Sequence, residues 1–488
     1  MPLILPGNVA SATAAVGFSV ANSCRFTGGN SGSDNYMYKT LGTPTSTKIC
    51  TISFWWKQHS IFGSGDGPIF SAKTDSNNRH IIYWSADSNE GGLFKIWGKT
   101  GGSVNFTLST TQVFRDPAAW QHHVIAIDTN QAVATNRVKW YMNGTQITSF
   151  SATTYPGEDA LLDWSADGST AYVAAYATSG SFDVFGGANL IAEFIFIDGQ
   201  QLTPTSFGEF DEDSPTIWKP IEDVKDLTFG NNGFYLDFKD SANLGNDANG
   251  GTDLTEAGLA AIDQLTDTPT NNFATLNILD KAQSSATYTE GNLKWSTVTA
   301  GHYFWARSTI GVSSGKWYFE AKLTSASSYN HIGICDEGPA DNTTSLESEV
   351  YGWEIKNSDG NVYNNESNSS YGDTFTTGDI IGVYLDLDNN KIYWAKNGTV
   401  QNSGTGVAIT DPASTNTGNY FFCVTDNASG DSVTWEANFG NPSFAISSGN
   451  ADAKGYGNFE YDPSSGTFDG ASKDFLALCT KNLGSSGG

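Results

Sequence analysis

Short runs of aromatic and β-branched residues, bounded by Gly, Asn or Asp, recur along almost the whole chain. In the first half these runs are TISFWWKQ (51–58), RHIIYWSA (79–86), GLFKIWGK (92–99) and HHVIAIDT (122–129). Such runs are typical of strands, and the residues between them are those of tight turns. A chain of 488 residues with 53 Gly and 13% aromatic residues is therefore predicted to be all-β, and a mostly helical fold is excluded. This length exceeds what one core usually organises, so we expect at least two domains.

Charge and hydropathy narrow the expected partners. The chain has 52 acidic and 25 basic residues, a net charge of −27. Nucleic acids and anionic membranes attract clustered Lys and Arg, so neither is an expected partner. No run approaches the roughly 18 apolar residues of a membrane span, so no membrane insertion is expected. The first 24 residues contain no Lys or Arg, which excludes a typical secretory signal and favours folding in a cytosol.

Five cysteines occur without paired spacing or a CxxC motif, so neither a zinc site nor a disulfide framework is expected. Cys335 and Cys423 lie in apolar strand-like runs and are interpreted as buried free thiols.

Residues 1–212, in which turn residues separate the strand-like runs, are predicted to form one sandwich. Asn143-Gly144 lies between alternating residues in VKWYMNGTQI and predicts a hairpin with a type I′ turn. LIAEFIFIDG (190–199) is predicted as the last strand. Thr203 and Pro204 follow it and predict one capped helical turn.

The regular spacing of strand-like runs is interrupted in residues 213–274, which are predicted to form a partly structured joint. NNGFYLDFKD predicts a strand with Phe234, Leu236 and Phe238 on one face, and TEAGLAAID (255–263) predicts a short helix.

Strand-like runs resume in residues 275–488, and their spacing predicts a second antiparallel sandwich. These runs are GKWYFEAKLT (315–324), YNHIGICDE (329–337), VYGWEIKN (350–357), DIIGVYLDLD (379–388), KIYWAKNGTV (391–400), NYFFCVTD (419–426) and VTWEANFG (433–440).

Two family resemblances indicate which kind of sandwich each half of the chain forms. WQHHVIAIDTN (120–130) followed by VKWYMNGTQI (138–147) resembles the laminin-G and concanavalin A-like family. GKWYFEAKL, YGWEI and the long hairpin GDIIGVYLDLDNNKIYWAKNG (378–398) resemble the SPRY family. The resemblances imply two tandem antiparallel β-sandwiches, a concanavalin A-like jelly roll and then a SPRY sandwich.

A third resemblance concerns the combination. The segments that carry it are LPGNVASATA (5–14), IAEFIFIDGQQLTPTSFGEFDE (191–212), NNGFYLDFKDSANLG (231–245), TDTPTNNFATLN (266–277) and FLALCTKNL (475–483). They resemble virion-associated, fibre-like or structural proteins of tailed bacteriophages, especially marine ones. This implies a non-enzymatic virion protein, assembled in the host cytoplasm, exposed on the particle and used for host-surface recognition and attachment.

The resemblance also implies partners. We expect other virion structural proteins, a glycan or protein of the host surface, and a homo-oligomer with a trimer as the form typical of fibres. A capsid decoration protein without a receptor role, and a tail-associated glycan depolymerase, are the alternatives.

Catalytic signals are few. A retaining glycanase needs two carboxylates that lie close together, and the nearest string is EFDED, with Glu209, Asp211 and Asp213. It lacks a second Glu at the expected alternation, so a solvated acidic loop is favoured. No His lies near a GxSxG motif. His122 and His123 alternate along a strand, which predicts one at the core edge and one in solvent. We therefore predict no enzyme activity.

Laminin-G-like domains can bind calcium through loop carboxylates. Candidate ligands in the first half are Asp66, Asp75, Asp87 and Asp128. Calcium needs 6–8 converging oxygens, and no EF-hand-like run occurs in the sequence. No cofactor is expected, with calcium as the alternative.

Exposed aromatic and Asn side chains are the expected ligand-binding groups. Tryptophans within strand-like runs are predicted to lie in the core: Trp56, Trp97, Trp140, Trp317 and Trp394. SPRY domains bind partners through loops at one end of the sandwich. The resemblance therefore points to residues predicted to lie in or beside loops: Trp305, Tyr329, Asn330, Tyr363 and Tyr371.

Overall fold

The structure is a computed structural model that describes residues 18–27, 35–58, 66–85, 91–177, 189–281, 285–298, 303–338, 344–427, 432–469 and 473–486. Its contacts divide these residues into two compact units that meet in sequence between Thr270 and Asn271. Both units are built almost entirely from strands, which confirms the all-β prediction. In the described part of the chain, no helix is long and apolar enough to cross a membrane.

The strands of the first unit are β1 (Ser23–Phe26), β2 (Tyr36–Thr40), β3 (Ile49–Gln58), β4 (Asp66–Asp75), β5 (Asn78–Ser85), β6 (Leu93–Thr100), β7 (Ser103–Val113), β8 (Gln121–Asp128), β9 (Val138–Met142), β10 (Thr145–Ile147), β11 (Phe150–Thr154), β12 (Thr170–Val173), β13 (Asn189–Asp198), β14 (Gly208–Phe210), β15 (Trp218–Pro220), β16 (Phe234–Leu236), β17 (Thr255–Ala257) and β18 (Gln264–Leu265). The single α-helical turn described here is α1 (Ala134–Arg137). The 3₁₀ turns are Asp163–Ser165, Pro204–Ser206, Glu222–Asp226 and Ala261–Asp263.

Two antiparallel sheets form the first sandwich. Sheet A has the order β10-β9-β8-β3-β13-β1-β18, with β16 also paired to β13. Sheet B has the order β11-β7-β6-β5-β4-β12-β2-β17, and β14 and β15 form a separate hairpin. The inner faces share one core, to which Phe54 and Phe196 of sheet A and Phe70 and Ile96 of sheet B belong. Burial of large apolar side chains between two sheets is the main stabilising term of such a fold.

Local turn chemistry agrees with the sequence in this unit. Asn143 and Gly144 have φ values of 45° and 76°, and Met142 pairs with Thr145, so the predicted hairpin turn is confirmed. A 3₁₀ turn starts at Pro204 as predicted, although the Thr203 side chain makes no capping bond.

Much of the segment predicted as a joint packs into the first unit. Phe234, Leu236 and Phe238 all enter its core, as the alternation predicts. The predicted helix over 255–263 is wrong, because β17 instead pairs with β2 and Gly258 adopts a φ of 69° that no helix allows. The contacts group residues up to Thr270 with the first unit, whereas the sequence-based domain limits of 212 and 274 remain a prediction.

The strands of the second unit are β19 (Leu276–Lys281), β20 (Thr287–Thr289), β21 (Lys294–Ser296), β22 (Phe304–Ser308), β23 (Lys316–Ser325), β24 (Asn330–Cys335), β25 (Gly352–Lys356), β26 (Asn361–Asn364), β27 (Ser367–Ser370), β28 (Ile380–Asp386), β29 (Lys391–Lys396), β30 (Thr399–Val400), β31 (Val407–Ala408), β32 (Phe421–Asp426), β33 (Thr434–Asn438) and β34 (Leu476–Ala477). The 3₁₀ turns are Leu346–Ser348, Asn402–Gly404 and Pro412–Ser414, and α2 (Thr480–Ser486) follows β34.

Two sheets form this second sandwich. Sheet C has the order β19-β22-β32-β24-β25-β26-β27, and sheet D has the order β20-β21-β33-β23-β28-β29-β30. β31 pairs with β29, and β34 adds a parallel pairing to β23. Phe319 of sheet D stacks on Phe422 of sheet C at 5.3 Å, and Trp394 Nε1 donates to Ile332 O at 3.0 Å. A buried aromatic layer with satisfied indole nitrogen thus joins the two sheets.

All five cysteines are free and buried, which confirms the interpretation of Cys335 and Cys423. Burial in apolar surroundings raises the pKa of the Cys423 thiol well above its usual value, so it remains protonated.

Candidate functional site

A cluster of two tyrosines and a lysine, of which only Tyr329 is exposed, lies at one end of sheet C. Tyr329 directly precedes β24, Lys356 ends β25 and Tyr363 lies on β26. The Lys356 Nζ atom lies 4.0 Å from the centre of the Tyr329 ring and 5.3 Å from that of Tyr363. Tyr329 is 45% exposed, while Lys356 is buried beneath it. We call Tyr329, Lys356 and Tyr363 the tyrosine–lysine platform; the cation holds both rings by attraction to their π faces.

Asp359 completes the charge balance of the platform. The Tyr363 hydroxyl donates to Asp359 Oδ2 at 2.8 Å, and Lys356 Nζ lies 3.9 Å from the same oxygen. Burial, together with this bond to a carboxylate, raises the pKa of Tyr363 to about 12. The phenol therefore stays a hydrogen-bond donor at every physiological pH.

Two buried asparagines fix the loop that carries Tyr329. Asn330 Oδ1 accepts from Ser327 N at 2.6 Å, and Asn330 Nδ2 donates to Ser327 Oγ at 2.7 Å. Asn357 Nδ2 donates to Ser327 O at 2.7 Å, and its Oδ1 accepts from Asn330 N at 3.0 Å. These side-chain bonds, together with the backbone bond from Asn427 N to Tyr329 O at 2.9 Å, hold the loop that carries Tyr329.

A buried polar layer lies under the platform. The His331 ring lies 5.3 Å from that of Tyr363, and its Nδ1 is 3.2 Å from Asn427 Nδ2 and 3.6 Å from Glu354 Oε2. His331 and Glu354 are both fully buried. This layer therefore packs beneath the Tyr363 ring and supports the platform.

The predicted ligand-binding residues divide into two groups. Tyr329 and Tyr363 belong to the platform, and Asn330 is fully buried and positions it. Trp305 and Tyr371 lie elsewhere and are 5% and 7% exposed.

The loop assignments of Trp305 and Tyr363 are wrong, since they lie on β22 and β26. Trp305 packs with the Arg307 guanidinium at 5.5 Å, and Tyr371 packs edge-on against Trp394 at 5.2 Å. Both rings are covered by neighbours within their own unit.

Sequence reasoning missed Lys356 and Asp359. A signal was available, because alternation in Gly352–Lys356 places Lys356 on the same face as Glu354 at the strand end, beside an Asp-Gly turn. The contact of Lys356 with Tyr329 could not be read from the chain. It depends on the pairing of His331 with Lys356 across β24 and β25.

The carboxylates considered for glycan cleavage lie on the β14–β15 hairpin. Lys219 Nζ lies 3.3 Å from both Glu209 Oε1 and Asp211 Oδ2, and Asp211 Oδ1 also accepts from Ser214 N at 2.9 Å. These bonds lower the pKa of Asp211. Lys219 thus bridges the two carboxylates and stabilises the hairpin, and Asp211 is held in its ionised form rather than as a proton donor.

A Ser–His pair in the first unit is equally unsuited to catalysis. Ser53 Oγ lies 2.8 Å from His122 Nε2, while Trp218 Nε1 donates to His122 Nδ1 at 2.9 Å. Because an indole only donates, Nδ1 carries no proton, so neutral His122 holds its proton on Nε2 and donates it to Ser53. The imidazole has no lone pair left to activate the serine.

Both histidines of this strand are buried, so the prediction that one faces solvent is wrong. His122 lies between Trp55 and Trp218, and His123 stacks on Phe54. Burial lowers the pKa of each to about 3.

The calcium candidates serve local turns where they are described. Asp75 accepts from Asn77 N at 2.7 Å, and Asp128 accepts from Gln131 Nε2 at 2.6 Å. The Asp66 side chain and all of Asp87 lie outside the described residues. Among the residues that the structure describes, no three His, Cys, Asp or Glu side chains converge as a metal site would require.

Comparison with known proteins identifies the second unit. Residues 316–437 match the SPRY domain family. The chain is 33% identical over 125 residues to the ATP-dependent RNA helicase DDX1 of Xenopus laevis, covering 25% of this chain and 15% of that protein. It is 34% identical over 106 residues to Ran-binding protein 10 of Danio rerio, covering 21% and 17%. The chain therefore spans less than a fifth of the length of these two relatives.

Solved structures give similar matches. The SPRY domain of human HERC1 aligns with 33% of this chain and 96% of its own, at 15% identity and a TM-score of 0.26. A heptameric SAP-like pentraxin from Limulus polyphemus aligns with 38% and 80%, at 15% identity and a TM-score of 0.29. With the family match over β23 to β33, the sandwich that carries the tyrosine–lysine platform contains a SPRY domain.

Proposed function

We propose that this chain is a non-enzymatic binding protein of a bacteriophage particle, and that the tyrosine–lysine platform contacts a receptor on the host surface. The observation that carries the proposal is the exposed Tyr329 ring, held from below by Lys356 at 4.0 Å and fixed by the Asn330–Asn357 bonds. A pre-positioned tyrosine offers a large contact area at small entropic cost, which is what binding surfaces need.

The virion assignment rests on the phage-like sequence segments described above. A strongly acidic chain also resists non-specific adhesion to anionic envelopes, which leaves specific contacts to decide where it binds. The Lys219 bridge to Glu209 and Asp211 and the tautomer of His122 support a non-enzymatic role.

The binding part is tested by adsorption of the purified full chain to host cells. Tyr329→Ser should reduce cell-bound protein by about tenfold, as expected when a central aromatic anchor is removed. Tyr351→Ser, at a partly buried tyrosine of the same unit, is the control and should bind as the wild type does. Equal adsorption by both variants would refute a role of the platform.

The particle part is tested by quantitative mass spectrometry of purified virions. A few copies per particle, in a multiple of three or six, would support attachment at the tail. Copies in the hundreds would favour capsid decoration, and absence from the particle would refute the virion assignment. Mass measurement in solution tests the expected trimer, which a monomer at micromolar concentration would contradict.

A further inference from the structure

The outer face of sheet B carries an unusual combination of rings and cations. On β5, His80, Ile82 and Trp84 point into the core, so the alternate residues Arg79 and Tyr83 point outward. On β6 the outward positions include Lys95, Trp97 and Lys99, all only partly buried. The prediction that Trp97 lies in the core is therefore wrong.

Strand pairing aligns these outward positions into rows. Trp97 pairs with Ile81, Ile81 with Ser71, Ser71 with Tyr172, and Tyr172 with Tyr38. This mainly apolar row crosses five strands, a run of about 19 Å at ~4.8 Å per strand. The rings of Tyr38 and Tyr172 are 6.2 Å apart, so its far end is an aromatic cluster.

A second row places three cations side by side. Lys99 pairs with Arg79, and Arg79 pairs with Lys73. Like charges directly opposite one another across strands are destabilising, so the sequence accepts a cost at this position. Lys99 Nζ donates to a carbonyl, Ser76 O, at 3.4 Å. The Asp75 carboxylate offsets part of the charge at Lys73, and an anion bound near Arg79 and Lys99 would reduce the repulsion further.

Arg79 links the two rows. Its guanidinium lies 5.2 Å from the centre of the Trp97 ring, and its Nε is buried with no hydrogen-bond partner in the described ranges. A buried donor left without an acceptor is costly and is usually satisfied by a ligand or water. Lys95 Nζ lies 5.8 Å from the Tyr83 ring on the adjacent strand.

Between these side chains is a cavity of about 180 Å³, lined by Arg79, Ile81, Tyr83, Trp97 and Tyr176. We call this set, with Lys95, the cation–aromatic trough. Its lining combines three aromatic side chains, the Ile81 side chain and the Arg79 guanidinium.

We propose that the cation–aromatic trough binds an acidic oligosaccharide, one whose sugar rings carry carboxylate or sulfate groups. The aromatic faces stack on the C–H faces of the sugar rings, and Arg79 and its neighbouring lysines bind the anionic groups. The cavity of about 180 Å³ receives one end of the oligosaccharide, because Ser71 and Tyr172, further along the row, are buried.

Length distinguishes this occupant from nucleic acid. A nucleic acid carries a phosphate at every nucleotide and extends far beyond one patch, so the net charge of −27 opposes its approach. A short acidic glycan meets mainly the local cations. The proposal concerns the first unit and does not depend on the role of the tyrosine–lysine platform in the second.

Titration calorimetry on the full chain tests the trough with two probes, hexagalacturonate and a heparin-derived hexasaccharide. We expect saturable binding of at least one. The variant R79Q should weaken it by about tenfold, as loss of a charge-assisted bond predicts. W97L should have a similar effect, and W97F should retain most of the affinity. The control variant K225Q, an exposed lysine of the same unit outside sheet B, should bind normally.

Circular dichroism establishes that each variant is folded before its affinity is interpreted. The methyl ester of hexagalacturonate tests the role of charge and should bind at least about tenfold more weakly than the acid. Absence of saturable binding of both acidic probes would overturn the proposal. So would equal affinity of R79Q and wild type, or tighter binding of a twelve-residue oligothymidylate than of either glycan.

Discussion

The two sandwiches each bury a glutamate in a different way. In the second unit, Glu320 accepts bonds from Asn438 Nδ2 at 2.8 Å, Glu460 N at 2.8 Å and the Tyr318 hydroxyl at 2.9 Å. In the first unit, Glu193 accepts one bond at 2.5 Å, from the Tyr235 hydroxyl, and its Oε1 is buried without a partner in the described residues. Burial raises the pKa of both to about 7. Glu320 therefore holds three neighbouring donors in place, whereas Glu193 is buried with one hydrogen-bond donor in the described residues.

Backbone geometry sharpens the contrast. Glu193 has a φ of 49° at the point where the pairing of β13 with β3 shifts register. A left-handed, non-glycine residue in a central strand is strained, and strain of this kind persists only where the surrounding packing fixes it. Glu320 lies in the regular strand β23, paired with Gly382 and Asn438 on its two sides.

The tyrosine–lysine platform and the cation–aromatic trough also differ in how the chain builds them. The tyrosine–lysine platform is built from residues 327–363, which are near one another in sequence. The cation–aromatic trough combines side chains of β5 and β6, aligned by strand register, with Tyr176, which follows β12. A surface built from one segment can be altered by substitutions within that segment. A surface built by strand register is altered as a whole only when the pairing of the strands changes.

The largest expected effect is that of Glu320→Gln. The new amide nitrogen would face donors that now bond a carboxylate oxygen, so we expect the second unit to lose about 3 kcal/mol of stability. Urea unfolding followed by tryptophan fluorescence measures the change. A loss below about 1 kcal/mol would mean that these three donors can be satisfied without the carboxylate.

Glu193→Gln should have the opposite sign. The folded protein holds a proton on Glu193 up to pH about 7, whereas the unfolded chain releases it near the ordinary value of 4.5. Stability therefore falls as the pH rises from about 4.5 to 7 and then levels off. An amide cannot ionise, so the variant should be about 2 kcal/mol more stable than wild type at pH 8, with the gain vanishing at pH 4.5. Thermal unfolding at the two pH values checks this, and a pH-independent difference would contradict the ionisation account.

Lys356→Met should have a moderate effect. Methionine keeps the length of the side chain but removes the cation between the two rings, so we expect a loss of about 1 kcal/mol. Lys454→Met, at an exposed lysine of the same unit, is the matched change and should be neutral in urea unfolding. Equal stability of both variants would show that packing, not charge, holds Tyr329.

The smallest effect on stability is expected for Tyr329→Ser. This residue is 45% exposed, so its removal should change the free energy of unfolding by less than about 0.5 kcal/mol while host-cell adsorption falls. Denaturation measured on the same preparation as the adsorption assay separates the two properties. A large loss of stability would assign Tyr329 a structural role instead.

Much of the fold was readable because its signals are local. Period-two alternation placed Phe234, Leu236 and Phe238 on one face, and Asn143-Gly144 specified a hairpin through its positive φ values. The helix predicted over 255–263 failed for a tertiary reason. Gly258 interrupts the helical preference of the alanines, and Thr255–Ala257 pair instead with the edge of β2.

The sequence by itself determined that this protein is all-β, acidic and divided into two sandwiches, because alternation, turn residues and charge act over a few residues. Tertiary structure decided which rings are exposed: it buried Trp305 and Tyr371, left Tyr329 accessible and turned Trp97 outward. It also brought Lys356 under Tyr329 and Arg79 over Trp97. The physical reason is that alternation shows which residues share a face, whereas the partner across that face depends on strand order and register, which distant segments set together.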